Sequence, residues 1–335
     1  MLFALFGLLL NKANAQQLHA PNEVLDIIQR SKLGYEIGIL TTKMPTAKGP
    51  ILDNSHYLAT EDSLNVIKSF SAIETDEVRK LREQANKALA AARPDYKTAR
   101  KAFHKILEKL PQHAEILTEI GNTYTLENKH DEAKKQYLKA LEINPRDYYA
   151  RWMLSDILFK EGDTEKAIRE ITLAHLYNRN MPRLQATMFK MYEANNCKCQ
   201  DWTFNPQYKL SSTKKNITID AKDIWMAYAM YKALWAYEPG YKEMMLAGSK
   251  TDLGIMEETE SVFGLVTTYT QQNKIQKVIY PELAALEEAL EQSMIEPYAL
   301  YEVVLVKRPL TALYLEEDYL RKLIKYIATI RCPKA

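Results

Sequence analysis

Acidic side chains are the residues of this sequence whose type and spacing come nearest to a catalytic arrangement. Glu257, Glu258 and Glu260 fall within one helical pattern, and paired carboxylates can act as a general acid and base. On a helix such a cluster is more often a solvated face, and we interpret His113, near a helix end, as an ordinary surface histidine. The sequence has no glycine-rich phosphate loop, no H-E-x-x-H pair and no G-x-S-x-G turn. We therefore expect no catalytic residue, no metal site and no cofactor, and we predict that the protein is not an enzyme.

Cysteine is the other reactive residue type, and the chain has three: Cys197, Cys199 and Cys332. In an exported protein, Cys332 can form a disulfide with one member of the Cys197–Cys199 pair. The other two states are reduced structural thiols and a metal site. A metal site needs further ligands, and no histidine lies near the pair in the sequence. The residues alone leave all three states open.

The N-terminal residues 1–15 have the pattern of a secretory signal peptide. An apolar run from Leu2 to Leu10 is followed by Ala13-Asn14-Ala15, a small-x-small cleavage site. The run is shorter than the roughly 20 residues that span a bilayer. We expect an exported protein, periplasmic or extracellular after cleavage near Ala15, with no transmembrane segment in the mature chain. A buried N-terminal helix is the alternative interpretation.

The charge composition bears on whether the partner is a nucleic acid. The 335 residues include 45 basic and 43 acidic side chains, for a net charge of +2. This balance gives no electrostatic reason to expect nucleic acid as a partner. With only 10 glycines, the chain is also poor in the residue that tight turns of all-β folds require.

A period of 34 residues organises the middle of the chain. Small, aromatic and proline positions recur at this interval, which is the period of a helix–turn–helix repeat. The residues that carry the pattern are Ala99, Phe103, Pro111, Gly121, Tyr124, Ala133, Tyr137, Ala140, Pro145, Ala167 and Ala174. Over residues 80–181 the pattern resembles the tetratricopeptide repeat (TPR) family, and with the leader it is similar to exported bacterial members. The small side chains of Gly121 and Ala133 would let two helices cross closely, and Asp131 and Asp163 are the expected N-caps of second helices.

The predicted fold is therefore all-α: a TPR superhelix of about three repeats, followed by a helical C-terminal region. Short helical patterns also cover Val24–Ile28 and Leu64–Phe70. The predicted organisation is a signal peptide (1–15), an N-terminal capping segment with a loop (16–79), a TPR array (80–194, with copies 80–113, 114–147 and 148–181 and a partial copy 182–194), an irregular linker (195–222) and a C-terminal helical region (223–335).

The resemblance to TPR proteins implies a binding groove, because their first helices line a concave surface that takes a peptide or another protein. The positions that fall on this face form two sets, one in the second copy and one in the third, and within each set they are spaced by three or four residues, as one helical stripe requires. They are Glu115, Thr118, Asn122, Thr125, Tyr149, Trp152, Asp156 and Phe159. The aromatic members are anchors of the kind that dominate interface energy. The alternative is that Trp152 and Phe159 pack against the cap or the C-terminal helices.

We predict an exported, non-enzymatic scaffold that binds a segment of a protein or peptide partner in this groove. The alternative is a helical glycan- or small-ligand-binding protein of the cell envelope. It rests on the aromatic residues of the C-terminal half, among them Trp202, Trp225 and Trp235.

Overall fold

The computed structural model of the protein describes residues 18–53, 55–61, 64–247, 253–273 and 280–335. The expected signal peptide, 1–15, and its cleavage site near Ala15 lie outside these residues. The chain forms two compact units. We call 47–201 with 304–335 the repeat unit, and 18–46 with 202–303 the mixed unit.

Most of the described chain is helical, which confirms the predicted helical-repeat fold. Two small sheets, which were not predicted, accompany the helices. In chain order the elements are α1 (Pro21–Arg30), β1 (Gly34–Ile39), β2 (His56–Glu61), β3 (Leu64–Ser69), α2 (Asp76–Leu89), α3 (Tyr96–Lys109), α4 (Ala114–Leu126), α5 (His130–Ile143), α6 (Tyr148–Lys160), α7 (Thr164–Tyr177), α8 (Pro182–Ala194), β4 (Tyr208–Ser212), β5 (Asn216–Ala221), α9 (Trp225–Tyr237), α10 (Tyr241–Met245), α11 (Ile255–Asn273), α12 (Pro281–Glu291), α13 (Ile295–Ala299), α14 (Leu305–Lys307) and α15 (Glu317–Tyr326).

The repeat unit is built from helix pairs: α2 with α3, α4 with α5, and α6 with α7, with α8 packed on α7. Side chains of Asp95, Asp147 and Asp163 accept backbone hydrogen bonds at the starts of α3, α6 and α7 and so satisfy free N–H groups there. The turn before α7 has Gly162 in a left-handed conformation, with φ of 85°. The prediction for Asp131 is wrong, because α5 already begins at His130 and this aspartate lies in the first turn.

The residues of the 34-residue period form the core of these pairs. The alanines, Phe103 and Tyr137 are fully buried, and Tyr124 is half-buried. A Cβ on Gly121 would lie 2.5 Å from the Tyr137 ring, so only glycine allows the two helices this close. Pro111 and Pro145 are exposed and follow the ends of α3 and α5, as expected of residues that cannot continue a helix.

The segment before the repeats differs from the predicted helix at Leu64–Phe70. Residues Leu64–Ser69 instead form β3, which pairs antiparallel with β2 from His56↔Ser69 to Glu61↔Leu64. The buried Phe70 that follows stacks on His113, with ring centroids 4.7 Å apart. Phe70 and Glu74 therefore contact residues of the first helix pairs, as part of a cap does.

The mixed unit contains a sheet that the sequence prediction treated as cap and linker. β1 pairs with β5 in parallel, from Gly34↔Asn216 to Ile39↔Ala221, and β4 pairs with β5 antiparallel. Because this sheet joins chain segments far apart in sequence, residues 16–79 are not one capping segment and 195–222 is not an irregular linker. The helices α9 and α11 pack on one another, and α9 packs on the sheet.

The C-terminal residues 304–335 belong to the repeat unit and not to one C-terminal region that begins at 223. The helix α15 contacts α7.

Cys199 and Cys332 form a disulfide, and Cys197 is a buried thiol. Two backbone hydrogen bonds of 2.8 Å, from Lys198 N to Pro333 O and from Gln200 N to Arg331 O, run beside the disulfide. Among the described helices, none combines the length and hydropathy that a membrane crossing needs.

Candidate functional site

Side-chain contacts join the first helices of successive pairs, linking α2 to α4 and α6 to α8. Arg82 of α2 contacts Glu115 of α4, with 3.3 Å between the charged atoms. Further along, the Arg183 guanidinium of α8 lies 5.5 Å from the Trp152 ring centroid of α6. We call this surface, from Arg82 through α4 and α6 to Arg183, the first-helix face.

An ionic cluster forms the α2 end of the first-helix face. Arg82 donates hydrogen bonds to Glu74 and Glu115, and His113 Nε2 lies 3.1 Å from Glu74 Oε1. Burial lowers the pKa of His113 to about 4, and the charge of Arg82 acts in the same direction. Burial also raises the pKa of Glu115, against the charge of Arg82.

The same cluster brings metal-binding atoms of Glu74, His113 and Glu115 within 4.8 Å of one another. The guanidinium of Arg82 already contacts both carboxylates, so the positive charge that a metal ion would supply is provided by the protein. These residues do not fit a metal site.

A hydrogen-bond network occupies the middle of the face. Tyr137 of α5 donates to Asn122 Oδ1 at 2.9 Å, and its hydroxyl lies 2.9 Å from that of Thr125. Burial raises the pKa of Glu119, and a hydrogen bond with Asn122 opposes that effect. Burial also raises the pKa of Tyr149, and the charge of Glu119 acts in the same direction. The hydrogen bonds therefore join α4 and α5 around the Asn122 amide.

Aromatic and charged side chains form the part of the face where α6 meets α8. Tyr149 contacts the Trp152 ring edge-on, with centroids 6.1 Å apart. Trp152 is only 7% exposed, and its buried Nε1 has no hydrogen-bond partner among the described residues. Burial raises the pKa of Asp156, and Lys160 and Lys190 only partly offset this. This part of the face combines an aromatic surface with the partly desolvated carboxylate of Asp156.

Comparison with known proteins identifies the repeat. Residues 114–147 match the family model described as the tetratricopeptide repeat. Residues 114–147, which span α4 and α5, therefore form one tetratricopeptide repeat. Curated protein sequences gave no match.

Solved structures with helical repeats are similar to this chain at low sequence identity. The first TPR of Spaghetti, solved with an HSP90 peptide, is 17% identical, with a TM-score of 0.34, over 37% of this chain and 96% of that chain. The MamA protein is 14% identical, with a TM-score of 0.32, over 62% and 99%. A tetratricopeptide repeat protein from Parabacteroides merdae ATCC 43184 is 11% identical, with a TM-score of 0.33, over 75% and 99%. At these TM-scores the three structures say nothing about what this chain binds.

The structure brings most of the predicted groove residues of the TPR array onto one face, with two departures. The residues with accessible side chains are Glu115, Asn122, Thr125, Tyr149, Asp156 and Phe159. Thr118 is not a groove residue, because it is fully buried and its hydroxyl donates to Asp147 Oδ2 at 2.8 Å. Trp152 is largely buried against its neighbours and serves mainly as packing for Tyr149 and Arg183.

Sequence reasoning missed Arg82, Glu119 and Arg183. Glu119 could have been found, since it lies four residues after Glu115 and so on the same helical stripe. Arg82 and Arg183 belong to the first and last helices of the TPR array, where the 34-residue pattern is weakest. These three residues make the face more strongly charged than the predicted set suggests.

The interpretation of the glutamates of α11 as a solvated face is wrong. Glu260 is 0% exposed, and its carboxylate accepts hydrogen bonds from Trp235 Nε1 at 2.7 Å and from the Tyr241 hydroxyl at 3.0 Å. Glu258 is also buried and accepts a hydrogen bond of 3.0 Å from Lys232 Nζ. His113 is likewise buried and not a surface histidine. These groups are paired inside the protein and join packed elements.

The tryptophans on which the glycan-binding alternative rests are not scattered over the surface. Trp225 and Trp235 are buried, and Trp202 stacks on Tyr298 with ring centroids 6.0 Å apart. Their aromatic surface is used in packing, which removes the observation that favoured a glycan ligand.

Proposed function

We propose that this TPR protein is a non-enzymatic interaction scaffold that binds a segment of a partner protein on its first-helix face. The observation that carries the proposal is the chain of contacts from Arg82–Glu115 to Trp152–Arg183. Four helices from successive pairs thereby present one continuous surface. Each stacked repeat adds area to the same extended surface, and such a surface suits recognition of an extended or helical segment.

The chemistry of the face favours a partner segment with a basic side chain beside an apolar one. Glu119 and Asp156 are half-buried carboxylates whose pKa values are raised by burial. A lysine or arginine placed opposite them would stabilise their ionised forms. The rings of Tyr149 and Phe159 offer an apolar contact nearby on α6, and buried aromatic contacts supply much of the energy of interfaces.

We also propose that the protein works outside the cytoplasm, in the periplasm or beyond the cell. The signal-peptide pattern at 1–15 motivates this, and the Cys199–Cys332 disulfide supports it. Disulfides persist in oxidising compartments and are rare in the cytosol.

The experiment is a quantitative pulldown from envelope extract with purified wild-type protein, the variant Tyr149→Ala with Asp156→Asn, and the control Lys139→Ala. Lys139 is exposed on α5, a second helix. We expect the double variant to recover at least about tenfold less of the specific partner, because hot-spot losses commonly exceed 1.4 kcal/mol. The control should recover the wild-type amount. Equal recovery by all three proteins would refute the assignment of the face.

A further inference from the structure

A cavity of about 740 Å³ lies in the repeat unit, away from the first-helix face. Its wall is formed by α5, α6 and α7 and by residues 315–320. The volume falls within the roughly 300–1,000 Å³ typical of small-molecule sites. Leu138, which lines it, is 46% exposed, so the cavity can be reached from solvent.

Much of the wall is apolar. Leucines come from each contributing segment and give a surface that an alkyl chain could cover. They are Leu138, Leu154, Leu158, Leu173, Leu315 and Leu320.

Two polar side chains of the wall have unused hydrogen-bonding capacity. Arg146 makes no ion pair within the described part of the chain, and its Nε is buried without a partner. Tyr177 is 4% exposed, and its hydroxyl makes no hydrogen bond to any described residue. Buried polar groups are normally satisfied, so the unpaired Arg146 Nε, with the Tyr177 hydroxyl on the same cavity wall, points to a ligand that accepts hydrogen bonds.

The other cations of the wall already have partners. Arg151 pairs with Glu170, Lys166 with Asp163 at 2.6 Å, and Arg169 with Glu317 at 4.0 Å. Lys134 pairs with Glu161 at 2.5 Å.

The acidic residue of the wall that remains, Glu316, is exposed to solvent. Arg146 is therefore the half-buried charged residue of the wall that has no ion-pair partner among the described residues. Its positive charge favours an anion.

We propose that this cavity binds an oxyanion carried on an apolar chain, with the head group at Arg146 and Tyr177 and the chain along the leucines. A guanidinium matches both carboxylate and phosphate oxygens. A fatty acid and an alkyl phosphate monoester share this chemistry, and the experiment separates them.

The test is calorimetric titration of the full chain with decanoate, decyl phosphate and the uncharged decanol, each below the concentration at which it aggregates. We expect saturable binding of at least one anion with one site per chain, and binding of decanol at least about tenfold weaker, because a charged hydrogen bond is lost. The anion that binds more tightly identifies the head group. Absence of saturable binding by both anions, or decanol binding as tightly as they do, would overturn the proposal.

Variants then place the head group. Arg146→Gln should weaken anion binding about tenfold and leave decanol binding unchanged, since the side chain has no partner within the described residues to lose. Tyr177→Phe should act in the same direction, and Lys139→Gln, an exposed cation of α5 outside the cavity wall, should have no effect. If Arg146→Gln binds the anion as wild type does, the proposal fails, whatever the behaviour of Tyr177→Phe.

Discussion

The hydroxyl of Tyr137 on α5 donates a hydrogen bond of 2.9 Å to Oδ1 of Asn122 on α4, while its ring lies against Gly121. One side chain from a second helix thus fills the helix crossing and also fixes an amide on the first-helix face. The core of the repeat and the candidate binding surface are therefore coupled through Tyr137.

This contact makes Gly121 sensitive to the smallest enlargement. In Gly121→Ala, the new Cβ would lie 2.5 Å from the Tyr137 ring, so the helices must separate. We expect the free energy of unfolding to fall by about 1–3 kcal/mol, the usual cost of overpacking. Urea denaturation measures this, with the exposed site Lys135→Ala as a control. An unchanged midpoint for Gly121→Ala would contradict the close crossing.

The disulfide should stabilise the repeat unit. Cys332→Ser removes the link between residues 133 positions apart, and loss of a native disulfide costs about 2–5 kcal/mol. Cys197→Ser keeps the Cys199–Cys332 pair and is the matched control. We expect reductant to lower the urea midpoint of the control but not that of Cys332→Ser. Alkylation of three thiols in the unreduced, denatured wild-type protein would disprove the disulfide.

Glu260 should contribute strongly to the stability of the mixed unit. Its buried carboxylate accepts hydrogen bonds from Trp235, Tyr241 and His19, and Glu260→Ala would leave their donors unsatisfied. We expect a loss of about 3 kcal/mol in the free energy of unfolding. Glu291→Ala, at an exposed position of α12, should change it by less than about 0.5 kcal/mol. Similar thermal midpoints for the two variants would show that the network contributes little.

Acid should destabilise the fold through His113. Its pKa is about 4 in the folded chain against an ordinary value of 6.5, so the unfolded state takes up the proton first as the pH falls. The stability contributed by the neutral imidazole is complete above pH 6.5 and is lost as the pH falls toward 4, by up to about 3 kcal/mol. Burial shifts the pKa of His175 in the same direction.

The comparison of wild type with His113→Gln isolates the first of these histidines. Urea midpoints at pH 7, 5.5 and 4.5 should fall less steeply for the variant than for wild type. Parallel pH profiles would show that His113 does not remain neutral in the folded protein.

The 34-residue period predicted the helix pairs because each pair buries its own small and aromatic residues against its nearest neighbours. Local spacing therefore carries the information for contacts such as Gly121 with Tyr137. It also placed Asn122 on a stripe of one first helix, and Tyr149 and Asp156 on a stripe of the next. It did not show that Thr118 turns into the core, because that depends on Asp147, the N-cap residue of the next helix.

The parts that could not be predicted depend on contacts between distant segments. β1 pairs with β5 across about 180 residues, and strand pairing over such a distance leaves no periodic signal. The segment Leu64–Ser69 has apolar residues that fit a helix, but pairing with β2 makes it a strand. Glu260 looked solvated because its donor His19 is 241 residues away.

The measurement that tests the central claim most directly is photo-crosslinking from single positions of the protein expressed in the cell. Benzoylphenylalanine replaces Tyr149 or Phe159 on the first-helix face, and Lys139 on α5 as the control position. We expect positions 149 and 159 to crosslink to the same partner segment, one that contains a basic side chain, and position 139 not to crosslink to it. Equal crosslinking from 139, or no partner captured from either groove position, would contradict this expectation.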